Sequence, residues 1–126
     1  MTLSEVDGLT ATAEGVMIDW KRVQELRNEI GADDFAEVAD MFLEEADQTI
    51  DQLSKGLATA DVEGQLHFLK GSALNLGLSD LASVCQVGER QAAAGQGASV
   101  DLTAVIVTYQ RSKAAFLGGM AKENAA

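Results

Sequence analysis

The sequence predicts an all-α fold, an antiparallel up-and-down four-helix bundle with an additional short N-terminal helix. Three observations lead there. Hydrophobic residues make up 47% of the chain but aromatic residues only 5%, so the core must be aliphatic and alanine-rich, which suits packed helices better than a β-sandwich. The 126 residues are the size of one domain, long enough for a real core and too short for two. Apolar residues recur at helical spacing in four long stretches joined by short links, the pattern of antiparallel neighbours.

Residues 1–17 mix small and polar types without a sustained period. They are expected to be a flexible N-terminal extension, leaving residues 18–122 as the bundle domain. Asp19 can cap a short helix in which Val23, Leu26 and Ile30 share a face, with Ile18 stapled onto Val23 and Gly31 as the stop. Asp34 followed by Glu37 has the spacing of a capping box and predicts a long helix over about 34–58. Phe35, Val38, Phe42, Ile50, Leu53 and Leu57 form its apolar stripe, opposite Glu44, Glu45 and Asp51.

The next helix is expected from a cap at Asp61 to about Leu76, with Gly77 near its end. Asp61 stands only six positions before His67, so either the helix starts earlier or its first turn is loose. Ser79 can cap a helix over about 80–94 that buries Leu81, Val84, Cys85 and Ala92. "AGQGAS" marks a loop, and Ser99 can cap a last helix carrying Leu102, Val105, Ile106, Tyr109 and Phe116. "TAVIVTY" is β-branched enough for a strand, but the cap and the spacing to Phe116 favour helix.

Charge and cysteine content exclude several classes of function. A formal net charge of −11, from 20 acidic and 9 basic residues, would repel a nucleic-acid backbone or an anionic membrane surface. Cys85 is the single cysteine, so no internal disulfide can form, and no N-terminal segment has the pattern of a secretion signal. No apolar run approaches the roughly 18 residues that span a bilayer. A cytoplasmic location is expected.

The chain has one histidine, His67, in "HFLKGSALNLG". At roughly 100° per residue, Val62, Leu66, Leu69, Ala73 and Leu76 fall in one narrow sector, the core stripe. His67 points roughly 140° from its centre, into solvent, with Glu63, Gly64, Lys70, Gly71, Leu74 and Leu78 within about 60° of it. Gly64 and Gly71 each cost about 1 kcal/mol relative to alanine in a helix interior. What glycine supplies in return is the lack of a side chain, so another molecule can approach the imidazole closely. Phe68 also falls off the core stripe, and with Leu74 it suggests a docking patch. On spacing alone an ordinary surface histidine beside an exposed leucine is at least as good a reading.

A nucleophile–base–orienter triad needs a pocket that a small bundle does not obviously provide. A metal site needs three or four ligands, and a lone histidine and a cysteine on different faces leave only carboxylates. Histidine can instead be the nucleophile itself, attacking a phosphoryl group through a neutral ring nitrogen. Lys70, one turn on, can then balance charge on the transferred oxygens.

His67-Phe68-Leu69-Lys70-Gly71-Ser72, followed by Leu76-Gly77 and by "LASVC" at 81–85, closely resembles the signature of histidine-containing phosphotransfer (HPt) domains. Glu89 and the upstream "IDWKRVQELRNEIG" and "FLEEA" also resemble that family, and the resemblance spans about residues 18–120. It implies a four-helix bundle whose His67 accepts a phosphoryl group from a receiver-domain aspartate and passes it to another receiver. By position Lys70 would contact the phosphate and Gly71 would be the space kept clear for the partner. Gly64, Phe68, Leu74 and Leu78 would contact the partner, and Glu89 is a candidate for orienting the imidazole. The resemblance further implies Mg²⁺ supplied by the receiver and no metal site here. The expected partners are response-regulator receivers and a hybrid histidine kinase, met by a monomer without an ATP site.

Two other readings stay open. A pure interaction module would bind and modulate a receiver or kinase without carrying phosphate. A metal-dependent enzyme would need E-x-x-H motifs on facing helices, but Glu63 is four residues before the only histidine.

Overall fold

The computed structural model describes residues 9–11, 16–56 and 59–125. A two-stranded antiparallel ribbon, β1 (Leu9–Ala11) with β2 (Met17–Asp19), precedes five helices among the described residues. These are α1 (Trp20–Ile30), α2 (Ala32–Ser54), α3 (Thr59–Leu76), α4 (Ser79–Ala93) and α5 (Leu102–Ala125), with a 3-10 turn at Gly97–Ser99 before the last. Consecutive helices pack on one another, and α5 closes back onto α2 and α4. No helix among the described residues is long and apolar enough to cross a membrane.

The boundary expected between residues 17 and 18 falls inside β2. Val16 and Ile18 are buried, while Met17 between them gives its N–H to Asp80 Oδ2 at 3.1 Å and Asp19 gives its own to the Gly77 carbonyl at 2.8 Å. The inward alternation lasts only two side chains, too short a run to register as a strand in the sequence. Of the expected extension, residues 1–8 and 12–15 lie outside the described residues.

Helix α1 starts as its sequence dictates, with Asp19 Oδ1 accepting from the Arg22 N–H at 3.2 Å and Val23 and Leu26 buried. The next cap differs. Helix α2 begins at Ala32, behind Gly31, with no side-chain cap; the Phe35 N–H goes to the Gly31 carbonyl at 2.9 Å. Asp33 and Asp34 are already in the first turn, where carboxylates favour the helix dipole. Gly31 at φ +88 lets α1 stop and α2 start with no linker, so the capping box at Asp34 is not used. The helix ends at Ser54 rather than near 58, because Gly56 sits at φ +77. Leu57 lies outside the described residues.

Helix α3 begins at Thr59, before Asp61, which lies in its first turn rather than capping it. Its expected stripe is buried along its whole length, with Val62, Leu66, Leu69, Ala73 and Leu76 all at 2% exposure or less. Gly77 at φ +79 ends the helix, and the Leu78 N–H returns to the Ala73 carbonyl at 2.8 Å, a Schellman-type closure. Ser79 is the first residue of α4, not its cap. Helix α5 is capped by Asp101, whose Oδ1 accepts the Ala104 N–H at 3.0 Å, and not by Ser99, which the 3-10 turn absorbs. "TAVIVTY" is helical. Val105, Tyr109 and Phe116 are buried, and Phe116 stacks on Trp20 with ring centroids 6.1 Å apart.

A glycine controls the spacing of α3 and α4. A Cβ at Gly88 would meet Leu66 Cδ1 at 2.8 Å and Val100 Cγ1 at 3.0 Å, so any larger residue would have to displace these buried side chains, and glycine lets α4 lie this close to α3. The next residue along is Glu89.

Candidate functional site

Leu66 and Leu69 are fully buried, and they turn the residues between and beside them outward. The His67 side chain is 70% exposed, Phe68 is 40% and Leu74 is 58% exposed. Gly64 and Gly71 flank the imidazole one turn to either side, and a Cβ built at either meets nothing within 4 Å. The face is open, as the wheel predicts.

Leu78 is the exception. It is 2% exposed and belongs to the core, because Gly77 breaks the helix at φ +79 and rotation by 100° per residue cannot be carried past it. Leu78 is therefore removed from the partner-facing set.

Across from α3, the close packing at Gly88 brings Glu89 within bonding range of two α3 side chains. Glu89 Oε2 lies 2.8 Å from His67 Nδ1, and Oε1 lies 2.7 Å from Lys70 Nζ. Lys70 also donates to Gln86 Oε1 at 3.1 Å. Lys70 and Glu89 are largely covered, at 21% and 18% exposure, whereas the imidazole is not. The Lys70 ammonium is the main influence holding the Glu89 carboxyl below the usual carboxylate range; burial opposes it, and His67 adds to it.

An ionised carboxylate is acceptor-only, so the proton of this hydrogen bond must sit on His67 Nδ1. In the neutral ring the lone pair is then on Nε2. Glu89 thus accepts from Nδ1 in the hydrogen bond that joins the two side chains.

The sequence offers Glu89 as a candidate to orient the imidazole, but it gives no sign that Lys70 is itself clasped by Glu89, nor that Gln86 takes part. Gln86 stands three positions before Glu89 and so shares its face of α4, a signal available in the spacing. Cys85, beneath these groups, is buried, and burial first, then the Glu89 charge, pushes its thiol up to about 12. It is an inert core residue. Among the described residues no group of three or more His, Cys, Asp or Glu side chains is arranged to hold a metal ion.

The Hpt domain family model matches residues 37–115. The chain belongs to the Hpt domain family. Neither the curated proteins nor the solved structures include a match to it. The matched span of this Hpt domain runs from the second turn of α2 into α5 and contains His67, Lys70, Gln86 and Glu89. Hpt domains are histidine phosphotransfer carriers of two-component phosphorelays rather than kinases, and they interact with receiver domains.

Proposed function

We propose that this Hpt domain relays phosphate between receivers through His67, taking the phosphoryl group from the aspartate of one receiver domain and giving it to another. The observation that carries the proposal is Glu89 Oε2 on His67 Nδ1 at 2.8 Å, which leaves Nε2 as the nucleophile on a ring that is 70% exposed. The Nε2 lone pair attacks phosphorus, an N–P bond forms as the O–P bond to the receiver aspartate breaks, and the aspartate leaves as a free carboxylate. The Nδ1 proton stays where it is. Glu89 balances the positive charge the ring acquires, and the same steps in reverse load the second receiver.

Lys70 has a second role in this reading. Its ammonium is held 2.7 Å from Glu89 Oε1, one helical turn from His67, so it can turn toward the phosphoryl oxygens when they arrive. Gly71 keeps the approach clear, and Gly64, Phe68 and Leu74 lie under the partner. The Mg²⁺ that phosphoryl transfer uses comes with the receiver, and the phosphate comes from receivers, among them that of a hybrid histidine kinase, and not from ATP. The chain works as a cytoplasmic monomer. Helices α2, α3, α4 and α5 form the up-and-down bundle, supported by their packing in sequence order and by α5 against α2, with α1 as the additional short helix.

The test is phosphoryl transfer from a phosphorylated receiver. Wild-type protein should become labelled in an acid-labile, base-stable linkage, and His67→Gln should not; equal labelling of both would sink the assignment. Retention of signalling output by His67→Gln would favour the phosphate-free interaction module instead.

A further inference from the structure

Residues ahead of the matched family span hold the elbow between the two helices of the site. Helices α3 and α4 are joined only by Gly77 and Leu78, and β2 and α1 bond to this elbow at three successive places. In the last turn of α3, Arg22 Nε donates to the Asn75 carbonyl at 3.3 Å and Nη2 reaches Asn75 Oδ1 at 3.5 Å. At the turn itself Asp19 gives its N–H to the Gly77 carbonyl at 2.8 Å. In the first turn of α4, Asp80 Oδ2 accepts the Met17 N–H at 3.1 Å. The Asn75 side chain carries the contact further up α3 by donating to the Gly71 carbonyl at 3.1 Å. This segment has its own footing, because Ile18 and Val23 are at 0% and 1% exposure and Trp20 stacks on Phe116 of α5. Met17, Asp19 and Arg22 all precede residue 37, where the family match begins.

An elbow controls the angle between its arms. His67 stands ten positions before Gly77, and Glu89 stands nine positions after Asp80, so each arm is about 14 to 15 Å long at 1.5 Å per residue. At that reach a relative tilt of about 5° moves the carboxylate by about 1.2 Å against the ring. A hydrogen bond of 2.8 Å does not survive such a displacement.

We infer that β2 and the start of α1 form a bracket that holds α3 and α4 at the angle pairing Glu89 with His67, and that Arg22 and Asp80 are positioning residues for phosphoryl transfer. The inference rests on the carrier reading above and adds to it residues remote from the ring. Neither side chain touches the reacting atoms. Each acts through Glu89, whose bond to Nδ1 favours the tautomer with its lone pair on Nε2. A misplacement of about 1 Å caused far from the reacting atoms can cost about 100-fold in rate. Losing two of the three attachments, with the backbone bond at Gly77 intact, should cost less.

The experiment compares wild type with the double variant Arg22→Ala/Asp80→Ala, the two single variants, and Asp80→Asn. Tyr109→Phe, which loses a hydrogen bond between α5 and α2, is the distant control. His67 is the only histidine, so nitrogen NMR of the imidazole reads its tautomer directly in alkaline buffer, where a histidine ring is neutral. Wild type should show mainly the Nδ1–H form. The double variant should fold, shift toward the tautomer mixture of free histidine, and lose about tenfold in kcat for transfer from a phosphorylated receiver, with KM within about twofold. Each single variant should move both readings the same way by less. Asp80→Asn keeps an oxygen that can accept from Met17 and should restore wild-type values. An unchanged ring spectrum, a loss confined to KM, an Asp80→Asn as impaired as Asp80→Ala, or an equal spectral shift in Tyr109→Phe would each overturn the inference. If the double variant does not fold, the single variants decide on the same readings. A wild type that takes no phosphate from any receiver would remove the carrier reading, while the ring spectrum would still test the bracket.

Discussion

Two carboxylates in this molecule are each clasped between a lysine and the polar atom of a ring, and they do opposite things. Glu89 joins α4 to α3 by bonding Lys70 at 2.7 Å and His67 at 2.8 Å. Asp47 joins α2 to α5 by bonding Lys113 at 2.8 Å and 3.0 Å and accepting from the Tyr109 hydroxyl. At Glu89 the carboxylate is the covered member, 18% exposed, and the ring it holds is 70% exposed. At Asp47 the order is reversed, since the carboxylate is 46% exposed and Tyr109 is 2% exposed.

A largely covered acid holding an exposed ring leaves that ring accessible while favouring one tautomer. An exposed acid answering a buried hydroxyl satisfies a polar atom that burial would otherwise strand. Burial pushes the Tyr109 hydroxyl above its ordinary range, and Asp47 adds to the shift. Its remaining neighbour is the Leu43 carbonyl, 3.2 Å away. The same three chemical parts make a site or a clamp according to which one is in water.

That contrast can be broken from either end. The largest effect is expected at the clamp: Tyr109→Ala removes a buried aromatic and should cost about 3–5 kcal/mol of unfolding free energy, measured by urea denaturation. Loss of transfer should follow the folded fraction and no further. At the site the expectation is inverted. A Cβ added at Gly71 would meet no atom within 4 Å, so Gly71→Gln should fold like wild type yet reduce transfer from a phosphorylated receiver about 100-fold by filling the approach, roughly 2.7 kcal/mol of transition-state binding. Unimpaired transfer would show that the open space at Gly71 has no part in docking.

Next in size is Lys70→Ala, which should slow transfer about tenfold, or shorten the lifetime of the phosphohistidine to match, with the denaturation midpoint little changed. An unfolded Lys70→Ala would place the Lys70–Glu89 pair on the structural side of the comparison.

The smallest effect is the acid response of the clamp. Although burial works against it, hydrogen bonds from Lys113 and Tyr109 hold the Asp47 carboxyl below its ordinary value. Its stabilisation is therefore complete above the ordinary carboxylate range and is lost as the pH falls through the lowered value. A half-exposed pair of this kind contributes on the order of 0.5 kcal/mol. Asp47→Asn should flatten the acid limb of a stability-against-pH curve by about that much, and an unchanged slope would remove Asp47 from the clamp's electrostatics.

Much of both regions was legible in the sequence, for reasons that differ by residue. The α3 stripe from Val62 to Leu76 and the outward turn of His67, Phe68, Gly71 and Leu74 follow from a rotation of 100° per residue inside one unbroken helix. Leu78 failed that rule because Gly77 changes the direction of the chain. Asp34, Ser79 and Ser99 failed as caps for a related reason: each has the right side chain, but helix ends were decided by Gly31, by Leu78 and by Asp101 at neighbouring positions. The clamp was not seen at all. Tyr109 was legible as a core residue, but its partner Asp47 is 62 positions away, and no local period connects them.

By itself, then, the sequence determined the helices, their inner faces and the exposure of one histidine, because these depend on contacts within a turn or two of the same chain. Only the tertiary structure decided what that histidine is bonded to. Glu89 reaches it across 22 positions because Gly88, which has no Cβ to strike Leu66 and Val100, lets α4 lie close against α3. The distance between two helices is set by side chains far apart in sequence, and the tautomer of His67 depends on that distance.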